Sequence, residues 1–546
     1  MGSLLPLVSI VILALAVHLL PLAISPYPFN NDGLPASVSA RDILESGHLY
    51  LPNPVSTDIT THSESTPVFA MFLAFVGGTI GEDPLFVSQI AEAGIALLLV
   101  ACVYLIVLEI TRDVRAALIG AFVISVFGSF LFLTASVWRE ALGASLFVLL
   151  IFVYTRRNEG RMRVLEILIL LLLPFVHHLV ALIAYAAIGY LTVWSIAHAI
   201  INHRVTRRHY QDFTILVCAA IAALVYYNIV AFGRLAYLEP LNGLLPLMLI
   251  ISALSAIMIA VLNMKKHWKG TFAPVVAGVL LLVVLWDYWH PIFSYVPSSP
   301  DSIIILYAGT AVLLAFGWYG IEMIIDSKSS YRAIPLCMLL PAITVILFAI
   351  FSPAVESKHQ IVYRSFDFAD PALAVGAGIA SVYLFKSKRA RKTVILLVTA
   401  AIITLPFGVF TQDLLGLQHE TQSYEVDALQ WAKDTSNGTR PHVQTDVRLA
   451  YIGSYLLDMG EDNRLPQNLI GNKSLAPKVY LIYQEYWTTR GVNDFPHGLV
   501  RPNASFMQLL MNVHNVMYIG GDVDNRLIIF FASSVGQEYN HWSPEP

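Results

Sequence analysis

Charged and imidazole side chains stand at the ends of several apolar segments, where a membrane span would meet the water. Asp32 follows the first segment in "NNDG", and Arg139–Glu140 ("SVWRE") join two later ones. His177–His178 ("PFVHHL") lie between two more, while Asp287 and His290 ("WDYWHP") end another. Because charge at membrane depth is costly, such residues are candidates for chemistry.

A second group of such residues precedes one of the last apolar segments. In "ESKHQIVYRSFDFADP" it comprises Lys358, His359, Arg364, Asp367 and Asp370. A guanidinium binds carboxylate or phosphate oxygens bidentately, so Arg364 is a candidate for anion binding. We expect this stretch to be a loop.

Each candidate also has a structural alternative. Asp32 precedes a glycine, and Asp-Gly favours a tight turn. Glu140 could pair with Arg139 or stabilise the start of the next helix. Adjacent histidines lie about 100° apart on a helix, which favours a hydrogen-bonded histidine at the rim over a shared metal. The tryptophans around Asp287 are typical of an interfacial belt.

The composition identifies a membrane protein. The chain has 546 residues, of which 57% are hydrophobic and 13% charged, and its mean hydropathy is +0.66. Soluble domains carry about 25% charged residues. The net charge of −4 gives no reason to expect a nucleic-acid partner. The three cysteines lie in apolar stretches and predict no disulfide framework.

Hydropathy predicts thirteen transmembrane helices. A span needs about 20 apolar residues, and fewer where side chains snorkel. The predicted segments are Leu4–Ile24, Leu85–Ile110, Ala116–Thr134, Ala141–Tyr154, Val164–His178, Leu179–Ile201, Phe213–Phe232, Leu241–Asn263, Thr271–Trp289, Ser302–Ile325, Ala333–Phe351, Ala372–Phe385 and Thr393–Phe410.

The connecting loops predict the orientation. Alternate loops hold nineteen Lys and Arg residues against five in the others. Since positive charge accumulates on the cytoplasmic side, the N-terminus is expected inside and the chain after Phe410 outside. This topology requires "TPVFAMFLAFVGGTIG" to lie on the outer surface instead of crossing. The helical pattern of "LPASVSARDILESGHL" predicts a second surface helix.

The chain divides into two predicted domains. Residues 1–410 form the transmembrane domain, with residues 25–84 as an external loop that carries the surface helices. Residues 411–546 are richer in Asp, Glu, Asn and Gly and predict a small extracytoplasmic α/β domain. In it, "YEVDALQWAKD" predicts a helix, "HVQTD" a short strand and "NVMYIGGDVDNRLIIFF" a hairpin.

The order of these parts resembles the GT-C superfamily of membrane glycosyltransferases, which includes protein O-mannosyltransferases and lipid A aminoarabinose transferases. The likeness runs from Asp32 after the first span, through "PASVSARDILESGHLYLP" and "SVWREALGASLFVLLIF", to "VYRSFDFADPALAVGAGIA" and a C-terminal domain. Many members carry an acidic pair after the first span, where this chain has "NNDG". No metal ligand is therefore assigned, and a divalent cation stays an open alternative.

The resemblance implies an all-α polytopic bundle that transfers a sugar from a polyprenyl phosphate to an extracytoplasmic lipid, glycan or protein acceptor at the cell membrane. It implies Asp32 as general base, with Glu140 orienting the acceptor or Arg139. Arg364, Lys358 and Arg139 are then expected to bind the donor phosphate. The expected substrate-binding residues are His177, His178, Asp287 and His290.

Two other functions are compatible with the sequence. A lipid or sugar transporter favours internal repeats and polar groups near the membrane midplane. No repeat is evident, but Gln89 and Glu92 lie inside the second predicted span. A non-catalytic assembly subunit would use the external domain to bind partners, and its function would not depend on Asp32.

Overall fold

The computed structural model describes most of the chain. The described residues are 4–23, 25, 27, 30, 33–48, 66–229, 243–263, 272–290, 301–327, 329, 331–352, 358–385, 388–409, 421–436, 441–463, 465–470, 479–488, 492–494, 498–500, 502, 504–521 and 526–531.

Sixteen helices make up the described part of the chain up to residue 409. They are α1 (Leu4–His18), α2 (Gly33–Ser46), α3 (Val68–Ile80), α4 (Pro84–Thr111), α5 (Val114–Val126), α6 (Gly128–Thr134), α7 (Arg139–Thr155), α8 (Gly160–Val176), α9 (His178–Ile201), α10 (Arg207–Ile229), α11 (Leu245–Asn263), α12 (Phe272–Trp289), α13 (Asp301–Ile325), α14 (Ile334–Phe351), α15 (Lys358–Leu384) and α16 (Lys388–Val409).

These helices confirm a polytopic membrane bundle. Within the described residues, seven are long and apolar enough to cross a membrane, namely α4, α9, α10, α11, α13, α14 and α16. The pair α5 and α6, bent by 62°, passes the same criterion when taken together. The other five predicted spans correspond to α1, α7, α8, α12 and α15. Each of the thirteen predicted segments therefore contains helix.

The bend between α5 and α6 is stabilised by α16. Phe127 has an extended backbone (φ −78°, ψ 120°) that interrupts the helix. The amide of Gly128 donates to Thr404 Oγ1 at 3.0 Å. A Cβ on Gly408 would overlap the backbone of Gly128, so only glycine allows α16 to approach this closely. A break inside a membrane bundle requires such a partner, because no water is available to the freed amide.

The helix α15 begins earlier than the sequence predicts. The predicted span starts at Ala372, whereas α15 starts at Lys358 and contains Pro371. The predicted loop around Arg364 is therefore wrong. Arg364, Asp367 and Asp370 are spaced i, i+3, i+6, which places them along one side of a helix.

The segments predicted to be surface helices, α2 and α3, are both helical. Phe69 and Leu73 of α3 pack with Ala36 and Ala40 of α2 in one buried cluster. Leu34, near the start of α2, is fully buried in a different cluster, together with residues of the C-terminal part of the chain. The helix α2 therefore lies between the bundle and the C-terminal part.

The C-terminal part contains a five-stranded sheet with helices. Its elements are α17 (Ser423–Thr435), β1 (His442–Gln444), α18 (Val447–Leu457), β2 (Gly460–Asp462), α19 (Leu465–Ile470), β3 (Tyr480–Gln484), β4 (Val492–Asp494), β5 (Gly498–Val500), α20 (Ala504–Val513), β6 (Asn515–Gly520) and β7 (Leu527–Phe531). The strand order is β2-β1-β3-β7-β6, while β4 and β5 form a separate pair. Strand β1 is parallel to β2 and β3, whereas β7 is antiparallel to β3 and β6.

A buried ion pair joins α17 to α18. Arg448 Nη1 lies 2.6 Å from Glu425 Oε2, and the Gln484 side chain bonds to the same carboxylate. Asp446 caps α18 by accepting from the amide of Leu449 at 3.0 Å. Burial raises the pKa of Asp446, although Arg448 and the Leu449 amide act in the opposite direction.

The helix, strand and hairpin predicted for the C-terminal part correspond to α17, β1 and the β6–β7 pair.

Candidate active site

Glu140 is buried in the first turn of α7. Trp138, the residue before the helix, has an extended backbone (φ −126°, ψ 140°), and its side chain does not cap the helix. A carboxylate in the first turn is favourable because it faces the positive end of the helix dipole. The side chain of Glu140 is 4% exposed. A charge buried to this degree needs a charged partner.

Arg364 provides that partner. Its Nη1 lies 2.7 Å from Glu140 Oε1, although the two residues are 224 positions apart. The guanidinium also lies 5.0 Å from the centre of the Trp138 ring, within range of a cation–π interaction. The Arg364 side chain is 22% exposed against 4% for Glu140. The arginine is thus accessible, with the carboxylate behind it.

His177 contacts the same carboxylate oxygen. Its Nε2 lies 3.3 Å from Glu140 Oε1. The residue has an extended backbone (φ −165°, ψ 133°) at the junction of α8 and α9. Across this junction, Tyr185 Oη of α9 donates to Leu170 O of α8 at 2.8 Å. The two helices therefore form a hairpin.

This junction corrects the geometry predicted for the histidine pair. His177 and His178 do not project about 100° apart from one helix. Their rings stack at 4.4 Å between centroids with an interplanar angle of 28°. Pro174 lies in the last turn of α8. Because proline has no backbone N–H to donate, it weakens the helix just before it ends at His177.

Arg139 bonds to Thr66, and no described contact joins it to Glu140. Its Nη1 donates to Thr66 Oγ1 at 3.0 Å, and the residue is 9% exposed. The alternative in which Glu140 pairs with its neighbour is therefore not the arrangement observed, since Glu140 pairs with Arg364 across the bundle.

The other predicted site residues are not brought to this cluster by any described contact. Asp32 lies outside the described residues. The side chains of Lys358 and Asp287 also lie outside the description, although both residues belong to helices, α15 and α12. His290 is exposed, and its ring contacts Trp286 at 5.2 Å.

Asn30 and Gly33, close to Asp32 in the chain, are described. Asn30 is 6% exposed and has a φ of +115°, an unusual value for any residue but glycine. The amide of Gly33 donates to Asn30 O at 3.1 Å, and α2 starts at Gly33. Strained backbone of this kind is concentrated at functional sites.

Three further carboxylates are buried in the helices near Glu140. Glu92 of α4 is fully buried, and neither of its oxygens has a hydrogen-bond partner in the described part of the chain. Asp367 and Asp370 of α15 are 4% and 0% exposed. The Ser129 hydroxyl donates to Asp370. Glu92 and Asp367 both interact electrostatically with Glu140, so Arg364 is a cation among several carboxylates.

Sequence reasoning missed the partners that support these groups. Trp138 and Thr66 are uncharged and were not singled out, although Trp138 precedes Arg139–Glu140 directly. His18 was also missed: it lies at the end of α1, bonds through Nδ1 to Ala14 O at 2.7 Å and through Nε2 to Thr134 Oγ1 at 2.9 Å. The signal in the sequence is a histidine inside the first predicted span, Leu4–Ile24.

The described residues do not form a metal site. No group of three or more His, Cys, Asp or Glu side chains among them could hold a metal ion. Glu140 and His177 would supply two ligands, but Oε1 of Glu140 already pairs with the Arg364 guanidinium. The half-buried Arg364 guanidinium is a group of this cluster that can bind an anion such as a phosphate.

Comparison with known proteins shows likeness in structure but not in sequence. No family model matches the chain, and no curated protein is similar to it in sequence. The archaeal oligosaccharyltransferase AglB from Archaeoglobus fulgidus, in complex with an inhibitory peptide and a dolichol-phosphate, aligns with a TM-score of 0.54 and 14% identity over 98% of this chain and 74% of that chain.

Two further structures agree. The Archaeoglobus fulgidus oligosaccharyltransferase tethered to an acceptor peptide aligns with a TM-score of 0.52 and 14% identity over 88% of this chain and 69% of its own. The arabinofuranosyltransferase AftD from Mycobacteria aligns with a TM-score of 0.51 and 13% identity over 97% of this chain and 40% of its own. The chain is therefore a multi-pass membrane protein that shares the fold of these oligosaccharyltransferase and arabinofuranosyltransferase structures.

Proposed function

We propose that the protein transfers a sugar from a polyprenyl-phosphate donor to an extracytoplasmic lipid, glycan or protein acceptor. The observation that carries this proposal is the accessible guanidinium of Arg364, fixed by the buried carboxylate of Glu140 at one end of the bundle. A fold shared with an oligosaccharyltransferase that was solved with a dolichol-phosphate supports a lipid-linked donor.

The proposed topology follows the charge of the loops. The N-terminus is cytoplasmic, and residues 411–546 form an extracytoplasmic domain after the transmembrane domain, residues 1–410. Arg139–Glu140, His177 and Arg364 then all belong to the extracytoplasmic end of the bundle, which has few Lys and Arg residues. An outward-facing site has no nucleotide pool, so its sugar donor must arrive on a lipid.

In the proposed reaction an acceptor oxygen or nitrogen attacks the anomeric carbon of the donor sugar. The bond from that carbon to the phosphate oxygen breaks, and the polyprenyl phosphate leaves with the electron pair. Asp32 takes the proton of the acceptor as general base. Arg364 stabilises the negative charge that develops on the leaving phosphate, with Lys358 and Arg139 in supporting positions.

Glu140 orients Arg364 in this mechanism, instead of orienting Arg139 or the acceptor as the sequence suggested. A guanidinium held from behind by a carboxylate needs little reorganisation when the donor binds, which is how a preformed site stabilises charge. His177 contacts the same carboxylate oxygen of Glu140, and the ring of His178 stacks on that of His177. Asp287 and His290 are proposed to contact the acceptor from the end of α12.

The decisive experiment compares the wild type with Asp32→Asn in purified protein reconstituted in lipid. The substrates are a panel of polyprenyl-phosphate sugars with membrane-extract acceptors. Loss of the base should lower turnover about a hundredfold or more while donor binding survives. Glu45→Gln, on the exposed part of α2, is the control and should keep wild-type turnover.

The outcomes separate the candidate functions. Equal turnover in the wild type and Asp32→Asn would remove Asp32 from the chemistry. Wild-type protein that moves the lipid-linked sugar across the bilayer, with no labelled product from any donor, would contradict the transferase proposal and favour a transporter.

A further inference from the structure

A cavity opens at the other end of the bundle, where the loops are rich in Lys and Arg. It lies between the start of α8 and the start of α10 and has a volume of about 380 Å³. Its lining residues are Arg163, Arg207, Tyr210, Gln211, Thr214 and Ile215. The 17 residues of α7 separate Glu140 from this end, a rise of about 25 Å. The proposed sugar transfer makes no use of this cavity.

A buried ion network fixes one of the two arginines of the cavity. Arg163 Nη1 lies 2.6 Å from Asp212 Oδ1 and 3.2 Å from Glu166 Oε2. Arg157 Nε lies 3.1 Å from the other oxygen of Asp212. Asp212 and Glu166 are 3% and 1% exposed. Two arginines and two carboxylates balance each other in charge, so the network holds Arg163 in place at the wall.

Arg207 adds a positive charge that this network does not balance. The residue is exposed, and within the described chain no hydrogen bond or ion pair to its guanidinium is found. Arg204 and Arg208 are exposed in the same part of the chain. The mouth of the cavity is therefore cationic and presents a guanidinium suited to a phosphate group.

The polarity of α10 changes along its length. From Phe213 onward its large exposed side chains are apolar, among them Phe213, Val217, Ile221 and Leu224. Only 22% of the most apolar window of α10 is buried inside the protein, so this helix offers its surface to lipid. A cationic pocket next to a lipid-exposed apolar helix has the polarity of a phospholipid, with the phosphate at the arginines and the acyl chains along α10.

We propose that this cavity binds the headgroup of an anionic phospholipid. Basic pockets between membrane helices on the basic side are the surfaces at which such headgroups bind. Arg163 and Arg207 contact the phosphate, and Tyr210 and Gln211 donate hydrogen bonds to the headgroup. This inference does not depend on the proposed sugar transfer.

The test counts lipids that stay bound to the purified full-length protein, by native mass spectrometry with phosphatidylglycerol as the probe. Arg207→Gln should weaken binding about fivefold, the effect of about one cationic side chain at a lipid surface. Arg207→Lys should retain most of the lipid binding. Arg161→Gln is the matched control, because Arg161 is exposed in the same region but does not line the cavity.

Three results would overturn the proposal. Equal weakening by Arg161→Gln and Arg207→Gln would mean that general surface charge holds the lipid. Equal retention of phosphatidylcholine would remove the requirement for an anionic headgroup. Displacement of the lipid by soluble glycerol phosphate at a similar concentration would identify a site for a free phosphate ester. Because Arg207 is exposed, its substitution leaves the fold intact, which the elution profile of each variant verifies.

Discussion

At the scale of single residues, one carboxylate organises the proposed catalytic cluster. Glu140 Oε1 is close to both Arg364 Nη1, at 2.7 Å, and His177 Nε2, at 3.3 Å. Removing one partner of a buried ion pair destabilises a protein more than replacing both partners, because the remaining charge is left unpaired in the low-dielectric interior. The position of the arginine therefore depends on a residue that need not touch the substrate.

We predict that Glu140→Gln lowers turnover with a polyprenyl-phosphate donor by about a hundredfold, the effect of misplacing a charged group by about 1 Å. Arg364→Lys, which keeps the charge but loses the planar guanidinium, should show a similar loss. The measurement is kcat/KM for donor, with donor affinity measured separately.

The control for these variants is a second arginine–carboxylate pair. Arg41 Nη2 lies 2.6 Å from Asp83 Oδ2, but these side chains are 34% and 32% exposed. Exposed pairs contribute about 1 kcal/mol or less. Asp83→Asn should therefore leave turnover near that of the wild type, and an equal loss in both variants would contradict a special role for Glu140.

The sequence predicted charged residues at the ends of the spans but not which of them would meet. Arg139 and Glu140 are neighbours in sequence, yet they bond to different partners. Arg364 reaches Glu140 only because α15 packs beside α7, and helix packing over 224 positions is not encoded in local spacing. Hydropathy identifies a charged residue at a rim, whereas its partner depends on the tertiary fold.

At the scale of helices, the bend between α5 and α6 relies on a glycine in another helix. We predict that Gly408→Ala destabilises the protein by about 1–3 kcal/mol, because the added methyl group would overlap the backbone of Gly128. The midpoint of thermal unfolding in detergent, followed by tryptophan fluorescence, is the measurement.

Gly278→Ala is the comparison for this variant. Gly278 lies within α12, and a Cβ there would meet no atom within 4 Å. Its replacement should change stability by no more than about 1 kcal/mol, and in the stabilising direction, since alanine favours helix. Equal midpoints for Gly408→Ala and the wild type would show that α16 can move away from the bend.

The sequence predicted the helices better than their ends. Each of the thirteen apolar segments contains helix in its described part, because the hydrocarbon core forces backbone groups to bond within the segment. The start of α15 was missed, since Arg364, Asp367 and Asp370 lower the hydropathy of a stretch whose helical spacing is nevertheless intact. A helical stretch with a polar face directed into the bundle has the low hydropathy of a loop, so hydropathy alone does not identify it as helix.

At the scale of the whole molecule, the C-terminal part packs against the segments that surround Asp32. Leu34 and Leu85 share a buried cluster with Leu429 and Leu449. The Ser25 hydroxyl donates to Thr421 O at 2.7 Å, which adds a polar link between the same regions. The proposed general base is therefore followed immediately by a helix that the C-terminal part covers.

We predict that Leu34→Ala weakens this contact by about 2–5 kcal/mol, the usual range for a buried leucine. Turnover should fall, and limited proteolysis should cut the chain between α16 and α17 faster. Leu44→Ala is the control on the same helix, because Leu44 is 46% exposed. Unchanged proteolysis and turnover in Leu34→Ala would contradict the coupling.

The double burial of α2 also determines how such a protein could be recombined. Ala36 and Ala40 pack toward the bundle, whereas Leu34 packs toward the C-terminal sheet, so one short helix must complement two surfaces at once. A chimera that exchanges the C-terminal part alone would pair a foreign surface with the resident α2. The natural unit of exchange is therefore discontinuous in sequence, and a functional hybrid has to inherit α2 from the same parent as its C-terminal sheet.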